Sequence, residues 1–437
     1  MTQPQVSADE TESAYAWFRL LVSLALMTIG GVGMYSITVV LPQIQKEFAV
    51  ARGDASLPYT ATMVGFGLGG ILMGKLSDRF GVMVPVIIGT IGLGIGFVAA
   101  GYATQLLIFC LLQGLVIGLL GTSATFSPLV ADTSMWFTRK RGIALAICMS
   151  GNYVAGAVWP PIVQHFVQSV GWRQTYIGIG IFCVVSMLPL AMVLRRRPPA
   201  QSAATAKVSA SSMVSERPLG FSPFALQTLL CVAGVSCCVA MSMPQVHIVA
   251  YCGDLGFGAA RGAEMLSLML GMGVASRLLS GWISDHIGGL RTLLLGSMLQ
   301  GIALLLFLPF DGLVPLYVVS GLFGLFQGGI VPSYALIVRE YFTPKDAGSR
   351  VGTVLMATLF GMALGGWMSG AIFDWTGSYK AAFVNGIAFN LLNISIVLFL
   401  LTRVRRLRRA KQQRISVLGQ TQNLPKGDFN LLQISAA

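Results

Sequence analysis

The sequence predicts an all-α membrane protein, with twelve transmembrane helices in two pseudo-symmetric six-helix bundles. Composition is the first reason. The 437 residues are 55% hydrophobic and only 10% charged, with mean hydropathy +0.75, outside the range of soluble domains. Spacing is the second: apolar runs of about 20 residues, enough to cross about 30 Å of hydrocarbon as helix, recur twelve times between short polar breaks. Repetition is the third. Gly74, Asp78 and Gly81 of GKLSDRFG recur as Gly281, Asp285 and Gly288 of GWISDHIG at one constant offset. WFTRKRG from Trp136 is echoed by YFTPKDAG from Tyr341, and GWRQTY from Gly171 by GSYKAAF from Gly377. Duplicated six-helix units place their ligand at the interface between repeats.

The chain divides accordingly into a polar tail (1–16), a first bundle (17–194), a linker (195–223), a second bundle (224–403) and a basic tail (404–437). Spans of the first bundle fall at 18–41, 58–76, 82–101, 106–130, 142–166 and 176–194, with Lys46, Glu47, Arg52 and Asp54 read as the loop after the first. The linker is rich in Ser, Ala, Pro and charge, which cannot form a core. Spans of the second bundle fall at 224–250, 262–283, 290–309, 313–338, 351–373 and 381–401. The 52 glycines follow no three-residue period and serve close helix packing.

Net charge is +13, but the basic residues alternate by loop instead of forming one patch. Lys75, Arg79, Arg139 to Arg141, Arg195 to Arg197, Arg291, Lys345, Arg350 and the tail from Arg403 fall on one side; Lys46, Arg52, Arg173, Arg261 and Lys380 fall on the other. The positive-inside rule puts both termini in the cytoplasm, as in a bacterial inner-membrane protein. Attraction to anionic lipid explains the excess charge, and nucleic acid does not. The seven cysteines lie mostly within spans with no metal-ligand spacing. The polar, mildly acidic start is no signal peptide, so the first run is expected to remain as a helix.

At this point the residues resemble the major facilitator superfamily. Its loop between helices two and three follows Gly-x-Leu-(Ser/Ala)-Asp-Arg-x-Gly-Arg; Gly74, Leu76, Ser77, Asp78, Arg79 and Gly81 match, while Val82 and Met83 stand where the final Arg would be. Four segments resemble the monocarboxylate transporter and oxalate/formate antiporter branch: MYSITVVLPQIQKEF, RKRGIALAICMSG, VHIVAYCGDLG and SRLLSGWISDHIG. The resemblance implies that Arg277 in the eighth span pairs with a substrate carboxylate. Animal monocarboxylate carriers, though similar, have an acidic residue one turn earlier, where this chain has Gly273, and a lysine in helix one; the oxalate carrier has a lysine in helix eleven. Both lysines are missing here, and a single buried cation suits a monoanion.

Arg277 also stands out on physical grounds. A guanidinium at mid-membrane costs between about 2.5 and about 17 kcal/mol, so it faces protein or a wet cavity, and no acidic residue is expected deep in another span. His247 is the candidate proton carrier by elimination, and its alternative is a hydrogen-bonded interfacial residue. Tyr35, Asn152, Tyr153, Gln113, Gln327 and Tyr334 are polar groups in central spans, candidates for substrate contact or for bonding a neighbouring helix. Gly74, Asp78, Arg79, Gly81, Gly281, Asp285 and Gly288 are expected to form a conformational gate at the cytoplasmic face. Asp132, Arg339 and Glu340 sit near other cytoplasmic helix ends, where the alternatives are joining that network or simple solvation.

The expected function is secondary transport of a small organic monoanion by alternating access, coupled to protons by symport or exchange. The rivals are an efflux carrier for an unrelated amphiphile and a membrane sensor without transport. An enzyme is not expected, for want of a nucleophile and base pair, a metal cluster or a cofactor fingerprint; no cofactor is expected either.

Overall fold

The computed structural model describes residues 12–137, 139–196, 220–342 and 344–422. Most of the expected linker, the first eleven residues and the end of the C-terminal tail lie outside the described residues. Twelve helices are long and apolar enough to span a membrane: α1 (Ala14–Glu47), α2 (Arg52–Phe80), α3 (Met83–Gly101), α4 (Leu106–Trp136), α5 (Arg141–Val170), α6 (Trp172–Val193), α7 (Pro223–Asp254), α8 (Ala259–Ile287), α9 (Gly289–Leu306), α10 (Leu313–Tyr341), α11 (Gly348–Thr376) and α12 (Tyr379–Leu407). With an even number of spans, α1 begins and α12 ends on the same side, called here the termini face. The opposite side is the loop face.

Several spans bend where the sequence weakens the helical ladder. The first breaks at Gly31, separating Ala14–Gly30 from Val32–Glu47. The fourth widens into a π-helical stretch, Leu112–Thr122, before resuming at Ser127. The tenth breaks at the Gly328-Gly329 pair. Such interruptions are tolerated in membranes where neighbouring helices satisfy the freed backbone groups.

The repeat is visible in the backbone. Gly81 ends α2 at φ 85°, and Gly288 ends α8 at φ 83°. Each donates its N–H to a serine carbonyl four residues earlier, Ser77 and Ser284. Positive φ is strained for a residue with a Cβ, so glycine is required at both reversals. Gly171 and Gly377, at φ 84° and 65°, mark the corresponding turns on the loop face.

Charged residues at the span ends do more than the sequence reading allowed. The segment read as a loop after the first span is largely helix: α1 continues to Glu47, which pairs with Arg173 at 2.7 Å, and α2 starts at Arg52. Asp132, read as a helix-end residue that joins the gate or is solvated, is instead 2% exposed at the end of α4 and grips Arg19 of α1, itself 1% exposed. Their two hydrogen bonds measure 2.8 and 2.9 Å, and Arg19 also donates to the Leu194 carbonyl. Sequence position near a helix end hid this pair. Helix packing buries it.

Candidate functional site

The two bundles meet along two lines, α5 against α8 and α2 against α11. On the first, Ser267 donates to the Ala157 carbonyl; on the second, Thr60 donates to the Ala363 carbonyl at 3.1 Å. A cavity of about 310 Å³ lies between the bundles, lined from α1, α2, α4, α5, α7, α8, α10 and α11.

The polar side of the cavity is built around Arg277. Its Nη1 donates to the Met149 carbonyl at 2.9 Å and its Nε to the Gly328 carbonyl at 3.4 Å. Its guanidinium lies over the Tyr153 ring, 4.3 Å from the centroid. Met149 and Tyr153 belong to α5, so this one side chain joins both bundles. The α10 break supplies Gly328: a backbone kink frees a carbonyl that a cation then uses. No carboxylate pairs with Arg277 among the described residues. The other two arginines with less than a tenth of their surface exposed, Arg19 and Arg52, each hold an aspartate.

Of the other residues singled out from sequence, Tyr35, Tyr153 and Asn152 line the cavity with Arg277. Gln327 lies just behind it, fully buried, and its side-chain oxygen accepts from Gln245 Nε2 at 3.1 Å. Gln245 lines the cavity and was missed, although a glutamine between Pro244 and His247 in an apolar span was a readable signal.

Three candidates sit elsewhere. Gln113, on the π-helical stretch, donates to Tyr176 Oη at 3.1 Å and accepts from Thr62 Oγ1 at 3.2 Å. Tyr334 donates to Asn393 at 2.9 Å. Both are fully buried within one bundle and satisfied there, which is the helix-bonding alternative. His247 is likewise fully buried, off the cavity. Its Nε2 is 2.8 Å from the Gly366 carbonyl and its Nδ1 3.1 Å from Tyr379 Oη. The carbonyl can only accept, so Nε2 carries the proton and Nδ1 accepts from the tyrosine.

His247 belongs to a cross-bundle network on the loop face. Tyr379 Oη accepts from Arg52 Nη1 at 2.7 Å, and Arg52 pairs with Asp254 of α7 at 2.6 Å. Asp374 of α11 accepts from the backbone N–H of Arg52 and Gly53, at 2.8 and 2.7 Å. A carboxylate there meets free N–H groups and the positive end of the α2 dipole. The sequence reading placed Arg52 in a loop and missed this network, whose members are far apart in the chain.

The gate residues are arranged differently. Asp78, Arg79 and Asp285 are exposed, and neither aspartate has an ion pair among the described residues. The helices explain this. At the loop-face end of α11, a Cβ on Gly366 would lie 3.0 Å from the Tyr59 ring, and one on Gly370 2.8 Å from the Arg52 carbonyl oxygen. At the termini face, Gly74, Gly81, Gly281 and Gly352 have nothing within 4 Å. The hydrogen bonds that join the bundles from Arg52 to Asp254, Asp374 and Tyr379, and from Thr60 to Ala363, lie toward the loop face, and among the described residues none joins the gate residues of the two bundles. Glu340 does make one contact near there, accepting from the Gly289 N–H at 2.9 Å.

Twelve membrane helices in two like bundles around an interfacial cavity define a multi-pass membrane transporter. Residues 21–314 and 269–432 match the Major Facilitator Superfamily, and the chain belongs to it. It resembles the monocarboxylate transporter branch. It is 28% identical to Monocarboxylate transporter 13 of Rattus norvegicus over 366 residues, covering 82% of this chain and 81% of that one. It is 26% identical to Monocarboxylate transporter 11 of Homo sapiens over 400 residues, covering 86% and 81%. A bacterial homologue of the human lysosomal transporter Spinster, solved in an inward-facing and occupied conformation, shares the fold at TM-score 0.66 and 15% identity, covering 90% of this chain and 98% of that one.

Proposed function

We propose that this transporter carries a small organic monoanion by alternating access, with Arg277 as the anion contact. One observation carries the reading: of the three buried arginines among the described residues, two face aspartates, whereas Arg277 faces a cavity with two carbonyls and an aromatic ring. A cation with no carboxylate partner among the described residues is poised for one brought by a ligand, and a guanidinium matches a carboxylate in two-pronged geometry. Tyr35, Tyr153, Asn152 and Gln245 are the neighbouring groups that would orient it. The two relatives described above are named monocarboxylate transporters, which supports a monocarboxylate.

The same reading sets the termini face in the cytoplasm of a bacterial cell, because the basic residues concentrate there, facing anionic lipid. Hydrogen bonds between the bundles at the loop face, from Arg52 to Asp254, Asp374 and Tyr379, support a carrier closed on that side, whose cavity opens to the cytoplasm in this state. The gate glycines and aspartates would meet when the opposite state forms. Proton coupling would act through the loop-face network. A second proton on His247 removes its acceptor for Tyr379, next to Arg52, Asp254 and Asp374, and so loosens the contact between bundles. Uptake of labelled carboxylates into proteoliposomes, with and without an inward proton gradient, tests the reading: accumulation of at least one monocarboxylate supports it, and no gradient-driven uptake or exchange of any rejects it.

A further inference from the structure

We infer that the anion is a monocarboxylate with an extended apolar tail, its carboxylate on Arg277 and its tail along the wall that α2 and α11 present to the cavity. The inference rests on the proposed role of Arg277 and adds the class of molecule attached to the carboxylate.

The cavity is chemically two-sided. Its polar side chains come mainly from α1, α5, α7 and α8: Tyr35, Asn152, Tyr153, Gln245 and Arg277. From α2 and α11 it receives Met63, Phe66, Ile71, Leu355, Met356 and Met362. Two hydroxyls border that side: Thr358, which is 3% exposed and donates to the Leu355 carbonyl at 2.6 Å, and Ser127 of α4, beside Gly70. A doubly charged tail would therefore lose water and meet no second cation among the lining residues, and a hydroxyl would find few partners beyond Ser127; desolvated polar groups without partners are strongly disfavoured.

Size points the same way. About 310 Å³ is at the lower end of ordinary small-molecule sites, which run from roughly 300 to 1,000 Å³. An acid of two or three carbons on Arg277 would leave the apolar wall facing water that it cannot bond. Gly67 and Gly70 also line the cavity, keeping this side wide. Methionine is unbranched and polarizable, so Met63, Met356 and Met362 can close around tails of different outline, aromatic or aliphatic.

The test measures binding to the purified full-length protein by calorimetry. The probes are acetate, butyrate, hexanoate and 3-phenylpropionate, with their neutral amides beside them. The expected result is a Kd that falls about fourfold per methylene from acetate to hexanoate, equivalent to about 0.8 kcal/mol for each buried CH₂. The amides do not bind, Arg277→Gln abolishes binding of every acid, and Met356→Gln reduces the gain per methylene. Binding that depends on Arg277 but is flat or weaker with length overturns the tail and leaves the Arg277 reading standing. A length gain that persists in Arg277→Gln and in the amides, or no binding by any probe, overturns both.

Discussion

The guanidinium of Arg277 and the ring of Tyr153 face each other at 4.3 Å across the boundary between the two bundles. Gly273, one turn before Arg277, makes this possible: a Cβ there would lie 2.5 Å from the Tyr153 ring carbons. The Tyr153 ring fills the space that a side chain at position 273 would take. An aromatic face steadies the cation without neutralising it, at about 0.5 to 2 kcal/mol.

Gly273→Asp is therefore expected to displace the ring and give Arg277 an internal carboxylate. Substrate affinity should fall at least about tenfold, since even a partly desolvated ion pair competes at the level of 1.4 kcal/mol. Tyr153→Ala should weaken binding by about 2- to 30-fold, and Tyr153→Phe by much less. Concentration dependence of uptake at matched expression checks all three; unchanged affinity in Gly273→Asp contradicts the role given to the ring.

The Arg19 and Asp132 pair is expected to be structural. Asp132→Ala leaves a buried guanidinium without its counter-ion and should cost about 3 to 5 kcal/mol, whereas the double variant Arg19→Met, Asp132→Leu should recover most of that. Thermal unfolding of the purified protein in detergent distinguishes them. Equal melting temperatures for the single and the double variant count against the pair.

Arg52 should hold the loop face closed. In Arg52→Ala the caps on Asp254 and Tyr379 are lost together, while the α2 backbone contact to Asp374 remains. Spin labels at Tyr102→Cys and Gly312→Cys, one in each bundle on that face, should show a population at longer distance that the parent lacks. An unchanged distance distribution rules out a latch at Arg52.

His247→Phe removes both hydrogen bonds at the centre of the same network. Uptake driven by an inward proton gradient should drop to the level seen without a gradient, while exchange at equal pH persists. A gradient response equal to the parent's assigns the proton to another group.

The fold was legible in the sequence because hydropathy, length and a duplicated Gly-x-x-x-Asp motif act locally. Arg277 was legible for the same reason: a guanidinium in an apolar run is costly wherever the run goes. What the sequence hid was partnership. Arg19 and Asp132 meet across more than a hundred residues, and Arg52 meets Asp254, Asp374 and Tyr379 across still longer separations, so local pattern could not pair them. Gln113 and Tyr334 looked equivalent to Asn152, since helical position alone does not say whether a polar side chain turns to the cavity or into its own bundle. Met63 and Met356 carried no sequence signal, because methionine in a membrane span is ordinary until a cavity is seen beside it.

The central claim is that the charge of Arg277, in its planar form, holds the transported anion. Counterflow of a labelled monocarboxylate in proteoliposomes, with parent, Arg277→Lys and Arg277→Ala protein at equal density, tests it most directly. Loss of exchange in Arg277→Ala, and near-complete loss in Arg277→Lys, is the result expected from a two-pronged contact that an ammonium does not reproduce. Exchange in Arg277→Ala at the parent's rate would contradict it.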